Sequence, residues 1–118
     1  QDNATQLGFD ADGPNRWYYL IGGDGGYTAV NPRDPRIVFG ATTRLSLRRS
    51  NNGALTFSAG STSGISEASA NFDFIAPYRL DPGDPERMWI GGRSLWRSMD
   101  GAQTWVQASP EVTTSSSF

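Results

Sequence analysis

The chain has 118 residues, a hydrophobic content of 36%, an aromatic content of 12% and a formal net charge of −2. It contains no cysteine, histidine or lysine, so all ten of its basic residues are arginine. This composition excludes disulfides, zinc sites built on thiolate or imidazole, Ser-His-Asp and Cys-His relays, and lysine Schiff bases, which leaves acid–base chemistry to Asp, Glu and Tyr. Balanced charge without a basic block argues against a nucleic-acid partner, and the sequence has no apolar run of about 18 residues that would span a membrane.

Two parts of the chain repeat each other. Residues 31–35 recur as residues 81–85, and residues 46–57 recur as residues 94–105. The offset is 50 residues in the first pair and falls to 48 at Ser50 and Ser98. Length changes between conserved stretches are typical of a duplicated structural unit, so we expect two copies of one unit.

Each unit is predicted to contain four short strands, because stretches rich in Val, Ile, Tyr, Trp and Phe alternate with Gly, Pro, Asn and Asp. The prolines of the 31–35 and 81–85 loops lack a backbone donor, so they close the first strand of each unit. No segment shows sustained helical periodicity, and the fold class is predicted to be all-β. The predicted strands are residues 27–30, 36–40, 45–49 and 55–58 in the first unit, and residues 74–80, 87–90, 94–97 and 104–107 in the second.

The repeated octet at residues 50–57 and 98–105 predicts a turn between the third and fourth strands. An Asp or Asn side chain accepts hydrogen bonds from nearby backbone N–H groups, the following Gly takes a positive φ, and the final aromatic residue packs in the core. A structural role is favoured over a catalytic one for Asp100, because Asn52 replaces it in the first unit. The predicted turn residues are Ser50, Asn52, Gly53, Thr56, Phe57, Ser98, Asp100, Gly101, Thr104 and Trp105.

The two octets resemble Asp-box motifs, the bacterial-neuraminidase repeat found in sialidases, other propeller glycosidases and sortilin-type receptors. Ala54 and Ala102 stand where many members have a second glycine. Residues 1–5 and 22–26 are similar to segments of extracellular bacterial propellers of this class, in which glycine often occupies the position of Ala4. The resemblance implies a β-propeller in which each Asp box lies at the blade periphery, away from the ligand-binding face.

The resemblance also implies a domain organisation. The 1–118 chain is predicted to be one propeller segment of about two four-stranded antiparallel blades: residues 17–60 form the first Asp-box blade, residues 61–109 the second, and residues 110–118 begin the next. Because a propeller needs about four to eight blades, we expect a larger ring, completed by the remaining blades of a longer polypeptide or by further copies of the chain. The aromatic residues 17–19 are expected to pack between blades, with a neighbouring subunit as the alternative.

Asp24 is the best-placed carboxylate for ligand binding, because it lies in a glycine-rich run just before the innermost strand of the first predicted blade. Asp2 and Asn3 could join it in holding a hard cation such as calcium through oxygen atoms. The alternative is a glycine-permitted turn with an Asx hydrogen bond. No other cofactor is expected.

Two functions of different class remain open. The first is a non-catalytic extracytoplasmic scaffold, secreted, periplasmic or surface-associated, that binds a protein or glycan partner. The second is a segment of a glycoside hydrolase, which needs a pair of carboxylates flanking the scissile bond. By resemblance, a sialidase also needs an arginine cluster and a tyrosine with a carboxylate partner. No motif here gathers such residues and the Arg-Ile-Pro signature is missing, so the scaffold is favoured.

Overall fold

The computed structural model describes residues 3–58 and 61–112 of the chain. Within these residues there are nine β-strands, two short 3-10 helices (Asp10–Asp12 and Ser69–Asn71) and no α-helix, so the all-β prediction is confirmed. The strands are β1 (Thr5–Gly8), β2 (Trp17–Ile21), β3 (Thr28–Val30), β4 (Val38–Gly40), β5 (Arg48–Ser50), β6 (Tyr78–Leu80), β7 (Met88–Gly91), β8 (Leu95–Ser98) and β9 (Val106–Gln107).

The strands form three antiparallel sheets, each in simple chain order: β1-β2, β3-β4-β5 and β6-β7-β8-β9. The two larger sheets are copies in register. Val38 pairs with Ser50 in the first, and Met88 pairs with Ser98 in the second. These pairs reproduce the offsets of 50 and 48 residues seen in the sequence, so the repeat is a repeat of structure.

The two proline-containing loops, at residues 31–35 and 81–85, are also built alike. The side-chain oxygen Oδ1 of Asn31 accepts a hydrogen bond from the N–H of Arg33 at 2.8 Å, and Oδ1 of Asp81 accepts one from Gly83 at 2.8 Å. Such bonds satisfy backbone donors that the prolines leave outside the ladder. The loops therefore close the first strand of each sheet, as the sequence indicates.

The prediction of a fourth strand in the first unit, at residues 55–58, is wrong. The structure describes these four residues, and they do not form a strand. A single backbone bond joins this segment to β5, from Ser58 N to Arg49 O at 2.8 Å. The N–H of Arg49 donates instead to the hydroxyl of Ser58 at 3.2 Å, so a side chain takes the place of the next ladder carbonyl. In the second unit the equivalent strand exists as β9.

Two other predicted strands begin later than expected. The segment predicted as residues 45–49 becomes a strand only at Arg48, because Arg44 has a left-handed φ of 56° and Leu45 N donates to the hydroxyl of Ser69. The segment predicted as residues 74–80 becomes a strand only at Tyr78. The carbonyl of Phe74 accepts from Arg44 N at 2.8 Å, which ties residue 74 to the first unit. The other strand ends agree with the prediction to within two residues.

The two larger sheets share one hydrophobic core. Phe39 and Leu47 from the first unit and Phe72 and Met88 from the second are fully buried. Burial of each such side chain contributes about 1.5–3 kcal/mol. The sheets are therefore packed neighbours rather than separate domains. The core comprises Phe39, Ala41, Leu47, Phe72, Ala76, Tyr78, Met88, Ile90, Trp96, Ala102 and Trp105.

The β1–β2 hairpin docks on the three-stranded sheet through Ile21, which is only 2% exposed. The expected packing of residues 17–19 between blades is not seen among the described residues, where Trp17 is 60% exposed and Tyr19 is 68% exposed. Hairpin and sheets together measure 47 × 30 × 22 Å. None of the described residues forms a helix with the length and apolar character needed to cross a membrane.

Candidate functional site

The turn at residues 98–105 is held by a network of side-chain hydrogen bonds. The buried hydroxyl of Ser98 donates to Oδ1 of Asp100 at 2.8 Å and accepts from Ala102 N at 2.9 Å. Oδ1 of Asp100 also accepts from the N–H groups of Gln103 and Thr104, and Oδ2 accepts from the Thr104 hydroxyl. Both carboxylate oxygens are thus occupied by the turn itself.

The turn at residues 50–57 makes the same network with an amide in place of the carboxylate. Ser50 donates to Oδ1 of Asn52 at 2.9 Å, and that oxygen accepts from Thr56 N at 3.0 Å. The contact with the threonine hydroxyl reverses direction, because Nδ2 of Asn52 donates to Oγ1 of Thr56 at 2.8 Å. The turn needs a side-chain acceptor but not a charge, which supports a structural role for both motifs.

Three aspartates of the two units, Asp34, Asp81 and Asp100, have a pKa below the ordinary value. Burial raises the pKa of Asp100, but hydrogen bonds from Thr104, Ser98 and Gln103 together outweigh it and hold the pKa below its usual value. The pKa of Asp34 is lowered by the side chain and backbone N–H of Arg36.

Asp81 follows the same trend as Asp34 and Asp100. Its pKa is lowered by the N–H of Gly83 first and by Arg87 second, whose guanidinium lies 2.9 Å from Oδ2. A glycosidase general acid requires the opposite shift, a raised pKa. These three carboxylates therefore suit turns and ion pairs rather than proton donation.

The aromatic residues that end the two turns differ in burial. Trp105 is 3% exposed, and its indole N–H donates to Ser61 O at 2.9 Å while its backbone N–H donates to Ser63 O at 2.8 Å. It thereby fixes the connection between the two units. Phe57, its counterpart in the first unit, is half-buried, in keeping with the missing fourth strand.

The structure places the glycine-rich loop of Asp24 against the N-terminal segment. Ala4 N donates to Gly23 O at 3.0 Å, and a Cβ at Gly25 would lie 2.6 Å from Ala4 O. The glycine at position 25 is therefore explained by the approach of neighbouring backbone. Asp24 itself is half-buried.

The structure describes two of the three predicted cation ligands, Asn3 and Asp24. Asn3 is exposed and precedes Ala4, so it lies near the Asp24 loop, whereas Asp2 lies outside the described residues. In residues 3–58 and 61–112 no group of three or more acidic side chains is arranged to hold a metal ion. Calcium binding at this loop stays a prediction.

A groove of about 310 Å³ separates β3 and β6, the first strands of the two sheets. Tyr78 donates its hydroxyl to Tyr27 O at 2.9 Å, and the two rings meet edge to face at 6.3 Å. Burial raises the pKa of Tyr78, so its hydroxyl stays a donor. The groove is lined by Tyr27, Thr28, Ala29, Val30, Pro32, Tyr78, Arg79, Leu80, Asp81 and Pro82.

Sequence reasoning missed the role of Glu67. Its carboxylate accepts from the N–H groups of Arg93 and Ser94 and, at 2.8 Å, from the indole of Trp96. These bonds close the turn between β7 and β8 from a segment more than 20 residues away. The one available signal was that Glu67 is the only charged residue in the Ser/Gly/Ala-rich connection at residues 58–70.

Comparison of the chain with protein-family models and with curated proteins finds no match. The resemblance to Asp-box proteins therefore depends on the sequence of the two octets.

Proposed function

We propose that this chain is a segment of an Asp-box β-propeller that acts as a non-catalytic, extracytoplasmic scaffold for a protein or glycan partner. The observation that carries the proposal is the equivalence of the two sheets. Each places a Ser-x-(Asp/Asn)-Gly-Ala turn directly after its third strand, with the serine paired to the second strand at Val38 or Met88.

The packing of the sheets supports the propeller. Propeller blades are four-stranded meanders, and the order β6-β7-β8-β9 is such a meander. The three-stranded sheet has the same order and lacks only its fourth strand among the described residues. The first strands of the two sheets, β3 and β6, are linked by the Tyr78–Tyr27 hydrogen bond, as expected for innermost strands of adjacent blades.

The groove between β3 and β6 is the proposed binding face. Tyr27 is 47% exposed and Val30 is 53% exposed, and aromatic and apolar side chains of this kind are the common anchors of binding sites. The carboxylate that lines the groove, Asp81, is paired with Arg87 and has a lowered pKa. These features favour recognition over hydrolysis.

A hydrolysis assay tests the non-catalytic part of the proposal. The intact protein is incubated with 4-methylumbelliferyl glycosides, a sialoside included, and release of the fluorophore is followed over a range of pH. We expect no turnover above the uncatalysed rate. Hydrolysis that co-purifies with the protein through two columns would contradict the non-catalytic scaffold. It would favour the alternative, a segment of a glycoside hydrolase.

A pair of matched variants tests the binding face. Val30 in the groove and Val106 on the edge strand β9 are each 53% exposed, so Val30→Asp and Val106→Asp introduce the same change at equal exposure. Binding to a partner identified by glycan array or affinity capture should weaken at least about tenfold for Val30→Asp, because a charge is placed in an apolar contact. Equal binding by the two variants would contradict this location of the binding face.

Export of the protein from the cytoplasm, measured by cell fractionation, tests the proposed extracytoplasmic localisation.

A further inference from the structure

The turn at residues 50–57 contains an asparagine that is followed directly by a glycine. Among the asparagines of the chain, Asn52 alone has glycine after it. This pair favours deamidation, because glycine has no side chain to hinder its own backbone nitrogen and its backbone turns freely. Asn52 is exposed to water, and a Cβ at Gly53 would have no atom within 4 Å. Solvent therefore reaches both residues that react.

The reaction needs no reagent other than water. The backbone nitrogen of Gly53 loses its proton and attacks Cγ of Asn52, which closes a succinimide ring, and the side-chain nitrogen takes up a proton and leaves as ammonia. Water then opens the ring. Attack of water at Cγ gives aspartate, whereas attack at the backbone carbonyl carbon gives isoaspartate, in which the main chain runs through Cγ. The net change replaces an amide by an acid, without oxidation or reduction.

The folded turn restrains both reacting groups. Oδ1 of Asn52 accepts from the Ser50 hydroxyl at 2.9 Å and from Thr56 N at 3.0 Å, while Nδ2 donates to the Thr56 hydroxyl at 2.8 Å. The attacking nitrogen is engaged as well, because Gly53 N donates its proton to Arg36 O at 2.8 Å. Ring closure removes that proton and turns the amide away from its partners. The rate should therefore follow the population of the opened turn.

The turn at residues 98–105 shows that this fold accepts the aspartyl product. Asp100 occupies there the position that Asn52 occupies in the first unit, and its Oδ1 accepts from the Ser98 hydroxyl and from Thr104 N at 2.8 Å each. Oδ2 accepts from the Thr104 hydroxyl. An aspartate at position 52 would make the same bonds once the hydroxyl of Thr56 donates instead of accepting. Isoaspartate lengthens the main chain and moves these groups out of register.

We infer that Asn52 is a site of spontaneous deamidation, that the closed turn restrains the reaction, and that the aspartyl product rebuilds the turn in the form already present at Asp100. The modification adds a negative charge and a titrating group to a turn that has neither. This inference concerns the turn alone and does not depend on the proposed scaffold function.

The test compares deamidation in the folded chain and in the chain unfolded by guanidinium chloride, in the same mildly alkaline buffer. Peptide mass spectrometry with fragmentation assigns the conversion to individual asparagines. We expect Asn52 to convert at least about tenfold faster in the unfolded chain than in the folded one. In the unfolded chain it should also convert faster than Asn51, and Gly53→Ala should slow its conversion at least about tenfold.

Two matched variants test the restraint in the folded chain. Thr56→Val and Thr104→Val each remove an exposed hydroxyl from one of the two turns. Thr56→Val deletes the acceptor of the Asn52 amide, so deamidation should be at least about threefold faster. Thr104→Val leaves that turn intact, so the rate should stay within about 1.5-fold of wild type. A third variant, Asn52→Asp, carries the aspartyl product and should unfold at nearly the wild-type denaturant concentration at neutral pH.

Four results would overturn the inference. Equal rates at Asn52 in the folded and unfolded chains would show that the turn gives no protection. A rate in the unfolded chain no higher than that of Asn51 would show that this is no special site. Equal rates in Thr56→Val and Thr104→Val would remove the role of the side-chain bond. An Asn52→Asp variant that fails to fold would show that the turn rejects the product.

Discussion

Each of the two repeated turns, at residues 50–57 and 98–105, depends on one buried serine hydroxyl. The hydroxyl of Ser98 is the only polar group that approaches the N–H of Ala102 among the described contacts, and Ala102 is fully buried. Removal of a partner from a buried donor is costly because the donor has lost its water and gains nothing in return.

We therefore expect Ser98→Ala to lower the free energy of unfolding by about 1–3 kcal/mol. Urea unfolding followed by tryptophan fluorescence measures this change. The matched control is Ser63→Ala, an exposed serine in the connection, for which a change within about 0.5 kcal/mol is expected. A Ser98→Ala variant as stable as this control would show that the hydroxyl does not hold the turn.

Asp100 gives the turn a dependence on pH that the first turn lacks. Because hydrogen bonds lower its pKa in the folded chain, ionised Asp100 stabilises the fold above the unfolded-state pKa of about 3.9, and this stabilisation is lost as pH falls through the lower folded value. Asn52 shows that an amide makes the same turn without a titrating group.

Asp100→Asn should thus unfold with nearly wild-type stability at neutral pH but lose less stability on acidification. Urea unfolding of the wild type and of Asp100→Asn between about pH 6 and about pH 2 tests this difference in acid sensitivity. The lowered pKa values of Asp34 and Asp81 affect both proteins equally and cancel in the comparison. Parallel stability curves over this range would contradict the role given to the carboxylate.

At the scale of elements, the hairpin and the first sheet are joined at one tight point. A Cβ on Gly40 would lie 2.6 Å from Cδ1 of Ile21, so the strand β4 has room for the isoleucine only because residue 40 is glycine. Over-filling such a site forces side chains and backbone to shift, at a cost of about 1–3 kcal/mol.

Gly40→Ala should therefore destabilise the chain by about that amount and increase hydrogen exchange in β1 and β2. Ile21→Val removes the atom in question, and the double variant should recover part of the loss. A double-mutant cycle with additive effects would show that the two residues do not meet.

The strands that belong to the repeat were predictable, whereas elements set by distant partners were not. The copies β3–β5 and β6–β8 follow from matching turns and aromatic stretches. The strand β1 was missed because the segment Thr5–Gly8 is short and includes a glycine. The late start of β5 depends on bonds from Arg44 to Phe74 and from Leu45 to Ser69, which no local pattern reveals.

The residues of the candidate site also fall into those that the sequence predicts and those that it does not. The turn residues were predictable because their hydrogen bonds are local, spanning two to four residues. The alanines at positions 4, 54 and 102 stand where the resemblance expects glycine, yet their φ values are 63°, 71° and 66°. These alanines therefore keep the left-handed backbone conformation that glycine would adopt, at a cost in stability of about 1–2 kcal/mol per residue. Glu67 was missed because its partners, Arg93, Ser94 and Trp96, are brought to it by tertiary packing.

At the scale of the whole molecule, the four-stranded sheet has one face in the shared core and another that is open. A pocket of about 190 Å³ at one end of this sheet is lined by Pro77, Tyr78, Arg79, Trp89, Ile90, Gly91 and Leu95. Apolar sheet faces and free strand edges normally acquire a partner. In the proposed ring that partner is the next blade.

The most direct test of the propeller is an experimental structure of the intact protein, by crystallography or cryo-electron microscopy. We expect β3 and β6 to line a common central channel as the innermost strands of adjacent blades, with the turns of Ser50 and Ser98 at the periphery and another sheet on the face of Trp89. A structure in which β3 and β6 lie on an outer edge, or in which the Trp89 face is left in solvent, would contradict it.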